Sequence, residues 1–289
     1  MPTQPAPSLN LIGPGRLGRT LARLWLDRGL VRIAAIVARQ PAHVADAIRF
    51  IGAGEAGTLP DLPPAAITLI ATPDDAIAAV ASQLAAQAQP GQVYFHCSGA
   101  LASTALTPLR DTGTHVASVH PLKSFATPEH AITDFAGTYC STEGDPAALA
   151  VLAPLFAALG AKLFPLDASA KTLYHAAAVL ACNDLVALME GALRTMEAAG
   201  VARATAWAAL RPLIGGTLDN LDRMDTRAAL TGPVARGDVA TVARQATALK
   251  AEDEQVAAIY RALGDMAVQL APLDDAQRAR MRDALQGSA

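Results

Sequence analysis

Gly13-Pro14-Gly15-Arg16-Leu17-Gly18 forms a GxGxxG pattern between a short apolar run, Leu9–Ile12, and an amphipathic stretch, Arg19–Arg28, with Leu21, Leu24 and Trp25 on one face. In that setting the first glycine makes the tight turn and the second lets the backbone approach a pyrophosphate. The third lets helix pack on strand. Leu17 and Gly18 then fall in the first turn of the helix, whose free N–H groups and positive dipole end suit phosphate. The pattern alone is weak, and a glycine-rich turn without ligand is the plain alternative; its place between strand and helix supports the dinucleotide reading.

The cofactor follows from what stands past the second strand. NAD binders place an acid there for the ribose 2′-OH, whereas Ile33–Val37 is followed by Ala38-Arg39. Arg39 suits a 2′-phosphate, and Arg16 adds a second cation. The expected cofactor is NADPH, with solvated surface arginines as the alternative. Thr72 and Pro73, at the end of the strand in LIATPDDAI, fall where the nicotinamide side of the cofactor should run. Pro73 equally serves to start a helix.

Reduction of a carbonyl or imine needs a proton donor and a polar clamp on the developing charge. Three places offer such groups: the turn His96-Cys97-Ser98-Gly99-Ala100, the segment Ser118-Val119-His120-Pro121-Leu122-Lys123-Ser124, and a helix bearing Lys171, His175 and Asn183. On an ideal helix His175 lies ~40° and Asn183 ~120° from Lys171, so the first two share a face. Lys171 and His175 are the catalytic candidates; Ser98, Gly99, His120 and Asn183 are the substrate-binding ones. The alternatives stay open: a helix-start surface lysine, a hydrogen-bonded core histidine, an asparagine bridging helices. Cys97 reads as a small buried residue rather than a nucleophile. The turn segment Ala229–Asp238 could reach a cleft or a dimer contact.

These residues need a frame. Short β-like runs at Leu9–Ile12, Ile33–Val37, Ile67–Ala71, Val93–His96 and His115–Val119 alternate with helical stretches such as Asp75–Ala88, which predicts βαβ units and a mostly parallel sheet. Thr138–Ser141 and Lys162–Leu166 are weaker strands around a helix from Pro146 to Leu159. After Asp167 the pattern is helical only: Lys171–Ala199, Ala202–Leu221, Val239–Leu263 and Asp274–Leu285, with breaks at Gly200, Gly232-Pro233 and Pro272. The fold class expected is an α/β Rossmann domain over 1–166, followed by an all-α substrate and dimerisation domain over 167–289.

With 52% hydrophobic and 17% charged residues among 289, a large core is available and disorder is disfavoured. A net charge of −3 and 4% aromatics argue against nucleic acid as a partner. Three widely spaced cysteines make no disulfide framework and no zinc pattern. MPTQPAPS has neither a basic nor an apolar leader region and reads as a frayed tail. The apolar runs look broken well short of ~18 residues, so no membrane span and a cytoplasmic setting are expected.

Taken together, the Rossmann motif, HCSGALAS, SVHPLKSFA, KTLYHAAAVLACNDLVAL and ALTGPVARGD resemble the bacterial Rossmann-like NADP oxidoreductases whose C-terminal half is a domain of unknown function. That group is similar in plan to the 6-phosphogluconate dehydrogenase-like superfamily, with its β-hydroxyacid dehydrogenases, ketopantoate reductases and pyrroline-5-carboxylate reductases. The resemblance implies that Lys171 matches a catalytic lysine and Ser98-Gly99 a substrate-binding turn. His175 stands where the dehydrogenases have Asn, and Asp167-Ala168-Ser169-Ala170 replaces their glycine-rich lead-in. It also implies a homodimer and NADPH-dependent reduction of a small carbonyl compound, such as a 2-oxo acid of ketopantoate type. Cyclic-imine reduction and a non-catalytic NADPH sensor are the alternatives.

Overall fold

The structure, a computed structural model, describes residues 5–287. The expected N-terminal tail lies partly outside the described residues, and its last residue, Ser8, already belongs to a strand. Contacts divide the chain into two compact units, Met1–Leu180 and Ala181–Ala289.

The first unit contains an eight-stranded sheet in the order β3-β2-β1-β4-β5-β6-β7-β8. Its strands are β1 Ser8–Ile12, β2 Arg32–Val37, β3 Glu55–Ala56, β4 Ile67–Ile70, β5 Val93–His96, β6 His115–Pro121, β7 Tyr139–Gly144 and β8 Lys162–Pro165. All neighbours pair parallel except β6 and β7. Six α-helices intervene: α1 Arg16–Asp27, α2 Pro41–Ile51, α3 Asp74–Ala85, the short α4 Thr107–Arg110 and α5 Pro128–Ala131, and α6 Pro146–Ala158. The α/β reading of this half is borne out. The period of two assigns each strand residue to a face. Leu9, Leu11, Ile67, Leu69, Val93 and Phe95 meet α1, α2 and α6, while Ile12, Ile70 and Tyr94 meet α3 and α4. Trp25, Phe95 and Phe156 stack edge-to-face under the first layer, and the Trp25 indole N–H donates to Leu155 O at 3.0 Å. Both faces are therefore covered, as a parallel sheet requires.

After β8, the helix α7 Lys171–Ala181 closes the first unit. The second unit is helical: α8 Asn183–Ala198, α9 Arg203–Arg223, the short α10 Thr226–Ala229 and α11 Gly232–Ala235, then α12 Val239–Glu252, α13 Glu254–Leu270 and α14 Asp275–Leu285. Val242, Val268, Met281 and Leu285 form its small core. Aspartates cap the helix starts: Asp225, Asp238, Asp253 and Asp274 each accept a backbone N–H from the first turn. That gives Asp238 a local role within the Ala229–Asp238 segment.

The structure differs from the sequence reading in four places. Lys171–Ala199 is two helices, broken at Cys182 (φ −122°, ψ −65°). Val239–Leu263 is broken at Asp253, whose backbone is extended while its carboxylate restarts the helix. Pro41–Ile51, given no element above, is a helix that Pro41 starts and Gly52 ends in the left-handed region at φ 89°. Finally, Ala168–Ala198 is one stretch of 31 residues whose apolar window has a mean hydropathy of 1.5, long and apolar enough by length and composition to cross a membrane. Asn183 and Asp184 do not lower that average enough to interrupt it, although only 11% of the window is buried.

Candidate active site

The glycine turn is built as its residue types demand. Gly13 has φ +82°, and a Cβ there would stand 2.7 Å from the Ala71 and Thr72 backbone. At Gly18 a Cβ would meet Gly13 O and Leu11 Cδ1 at 3.0 Å, which lets α1 lie close on the strands. Gly15 faces open space. Beyond the carboxyl ends of β1, β4 and β5 lies a cleft of about 340 Å³, lined by Gly15, Arg16, Leu17, Thr72, Pro73, Asp74 and Ser98 among others. Thr72 Oγ1 is enclosed there without a hydrogen-bond partner, so a polar atom of a ligand would satisfy it. Arg16 and Arg39 are both exposed, with no ion pair among the described residues. An unpaired cation at each place, an orphaned hydroxyl and a turn without Cβ fit a phosphate-bearing dinucleotide.

Next to this cleft the ends of β5 and β6 carry polar groups that meet α7. Lys171 is 1% exposed. Its ammonium donates to Ser98 O at 2.9 Å and Ser118 Oγ at 2.5 Å. Burial lowers its pKa from the ordinary lysine value, opposed by the charges of Glu143, Cys97 and Asp74. The Ser98 hydroxyl donates to Asp74 Oδ2 at 2.7 Å and accepts from Ala100 N and Leu101 N, so the turn is held from inside. His96, fully buried, accepts from Ser98 N at Nδ1 and meets Ala102 O through Nε2 at 3.1 Å. That pattern makes Nε2 the protonated nitrogen.

His120 Nδ1 lies 2.9 Å from the Tyr174 hydroxyl. The His120 and His175 rings stand edge-to-face at 6.0 Å, both against Gly99. Burial, then the charges of Lys171 and His175, push the His120 pKa down to about 4. Burial does the same to His96, also to about 4. Burial drives the Cys97 thiol up from the ordinary cysteine value.

Of the residues singled out from the sequence, Ser98, Gly99, His120, Lys171 and His175 come together in the first unit. Gly13, Gly15, Arg16, Leu17, Gly18, Thr72 and Pro73 form the adjoining cleft or its turn, and Arg39 follows the end of β2. Asn183 opens α8 in the second unit and is exposed. The sequence reading gave no role to Asp74, or to Glu143, whose carboxylate accepts from Ser103 N at 2.6 Å and Ser103 Oγ at 2.8 Å. An acid directly after a strand-ending Thr-Pro, and one in a strand otherwise rich in hydroxyls, were the available signals.

Residues 3–121 match the family model of a Rossmann-like domain, and residues 138–267 match a domain of unknown function, DUF2520. The chain thus joins a Rossmann-like domain to a DUF2520 domain, the arrangement its motifs resemble. Among solved structures, a Bacteroides fragilis protein assigned as an NADP oxidoreductase is 18% identical with a TM-score of 0.76, over 91% of this chain and 98% of that one. A Thermotoga maritima protein is 26% identical with a TM-score of 0.65, over 96% and 98%. An imine reductase of Myxococcus stipitatus, solved with NADP+, is 20% identical with a TM-score of 0.64, over 91% and 92%. A search of curated proteins finds no match to the sequence.

The two lowered histidines have a consequence for stability. Their folded pKa values of about 4 lie below the ordinary imidazole value of 6.5, so between those limits the unfolded chain binds more protons. Stability is then complete above about pH 6.5 and falls as pH drops towards 4, by up to roughly 3 kcal/mol per histidine. Denaturant melts from pH 7 to 4 should show this loss, and His96→Gln should reduce its slope. An unchanged slope in the variant would contradict the assignment.

Proposed function

We propose that this chain is an NADP(H)-dependent oxidoreductase that reduces a small carbonyl compound, with a 2-oxo acid of ketopantoate type as the first substrate class. The observation that carries the reading is the adjacency of two features: a phosphate-ready cleft, and a buried lysine beneath a turn that also touches two histidines. The Myxococcus imine reductase and an Aspergillus terreus reductive aminase, solved with NADP+ and NADPH respectively, support the choice of cofactor. The glycine turn and Thr72 hold the dinucleotide, while Arg16 and Arg39 take its 2′-phosphate. When bound, NADPH supplies the hydride.

The chain's own residues handle the proton. Adding hydride to a carbonyl carbon leaves the bonding pair on oxygen, which needs a proton to finish as alcohol. Lys171 is the general acid of this reading, because burial makes its ammonium a readier donor than a surface lysine. The neutral amine left behind regains its proton from water. His175, one turn further along α7, assists, and Ser98, Gly99 and His120 orient the substrate.

The division of labour proposed is NADP binding by residues 1–166, with substrate binding and dimerisation by 167–289. In the second unit Val186, Leu213 and Leu218 are more than half exposed, apolar side chains that a second copy of the chain would cover.

A second reading, reduction of a cyclic imine, is favoured by one observation: the Lys171 ammonium is enclosed and already has two acceptors. An imine can arrive protonated and needs no acid from the protein.

The test is NADPH oxidation, followed by absorbance, with ketopantoate, other small 2-oxo acids and cyclic imines. Lys171→Met should lower oxo-acid turnover by about 100-fold or more; imine turnover within tenfold of wild type would move the assignment to the second reading. Silence across the panel with NADPH binding intact would instead favour a sensor. Arg39→Ala should weaken NADPH binding by about tenfold or more while leaving NADH nearly unchanged. Equal affinity of the wild-type protein for both nucleotides would contradict the 2′-phosphate assignment.

A further inference from the structure

His175 is half-buried, and its two ring nitrogens have different surroundings. Nδ1 is enclosed and has no hydrogen-bond partner. Gly99 packs against it: a Cβ on that residue would lie 2.5 Å from His175 Nδ1 and 2.9 Å from Nε2 and Cε1 of His120. Both imidazole edges therefore rest on the bare Cα of Gly99, a packing that no other residue type permits. The turn bearing Gly99 is fixed in place by Lys171 at Ser98 O and by Asp74 at Ser98 Oγ. His120 is fixed in turn by Tyr174.

An enclosed N–H with no acceptor costs more than an enclosed lone pair, and orphaned buried donors are the rarer of the two in folded proteins. The neutral ring accordingly keeps Nδ1 bare and carries its proton on Nε2. That nitrogen is not enclosed and has no partner among the described residues. The charged and titratable groups around the pair of rings are Lys171 and Tyr174 on α7, His96 on β5, His120 on β6 and Asp74 on α3. In these surroundings no carboxylate is bonded to His175.

We infer that Gly99 sets the tautomer of His175, so that the ring presents Nε2–H beyond the turn as the hydrogen-bond donor for the substrate's carbonyl oxygen or imine nitrogen. The donor role rests on the reductase reading above; the tautomer does not. His175 then acts by holding charge on that atom as hydride arrives, and Lys171 remains the source of the transferred proton. The arrangement also assigns Gly99 a role: its lack of a side chain is what admits the two rings.

Long-range 1H–15N NMR on the full-length protein with 15N-labelled histidine tests the tautomer at pH 8, where an ordinary imidazole is neutral. Six histidines keep the spectrum readable, and exposed His43 reports the unconstrained mixture. His175, assigned through His175→Gln, should show Nδ1 fully in the unprotonated range and Nε2 fully protonated, and Gly99→Ala should return it towards the mixture. A mixture in wild type, or a protonated Nδ1, would overturn the inference.

The donor role is read on the substrate panel. A glutamine amide N–H can reach the Nε2 position and an asparagine cannot, so His175→Gln should keep turnover within about tenfold and His175→Asn should lose about 100-fold. The two variants should melt alike. Equal turnover in both would contradict a donor at Nε2. If wild type turns over nothing on the panel, the reductase reading fails with it, while the nitrogen shifts still decide whether Gly99 sets the tautomer.

Discussion

The ammonium of Lys171 lies between the ends of two neighbouring strands, with Ser98 O on one side and Ser118 Oγ on the other. Removing such a charge from water costs several kcal/mol, so it persists only where acceptors and neighbouring carboxylates offset that cost. Here the acceptors come from the segments just past β5 and within β6, and Asp74 and Glu143 add negative charge nearby. One side chain therefore joins the sheet to α7 and fixes the turn on which His120 and His175 rest. The cation, the turn and the rings form a connected set, and removing the cation would leave buried acceptors unpaired.

The fold supplies the precision this set needs. A parallel sheet covered on both faces ends its strands at one edge, and the loops that leave that edge converge. The Trp25, Phe95 and Phe156 rings and the aliphatic residues of α3 hold β4, β5 and β6 from opposite sides. Glu143, from the antiparallel β7, reaches back to Ser103 and ties down the end of the loop that begins at His96. The cleft beside β1 and β4 thus opens onto a site whose backbone is bonded from several directions. In such a setting fixed dipoles act on reacting atoms with little reorganisation.

Much of this was legible in the sequence because it is local. The glycine turn, the alternation of strands and helices, and the polar residues just past strand ends each depend on neighbours within a few positions. The DUF2520 half was recognisable from its motifs rather than from its periodicity. What escaped depends on distant partners. Cys182 breaks a stretch whose apolar pattern runs on without interruption, and Asp253 stops one helix while capping the next. Asp74 and Glu143 acquire meaning only when Ser98 and Ser103 fold against them. The enclosure of Lys171 stayed one of two readings in the sequence, since a lysine at a helix start is ordinarily solvated.

The account depends most on the position of that ammonium. The chain has four lysines, so 1H–15N correlation of their side-chain NH3+ groups on the full-length protein isolates Lys171 directly. An ammonium enclosed with two acceptors should give a signal that exchanges slowly with water at neutral pH, with a through-space contact to Ser118. A Lys171 amine in fast exchange like a surface lysine, with no such contact, would contradict the arrangement on which the turn, the histidines and the proposed chemistry rest.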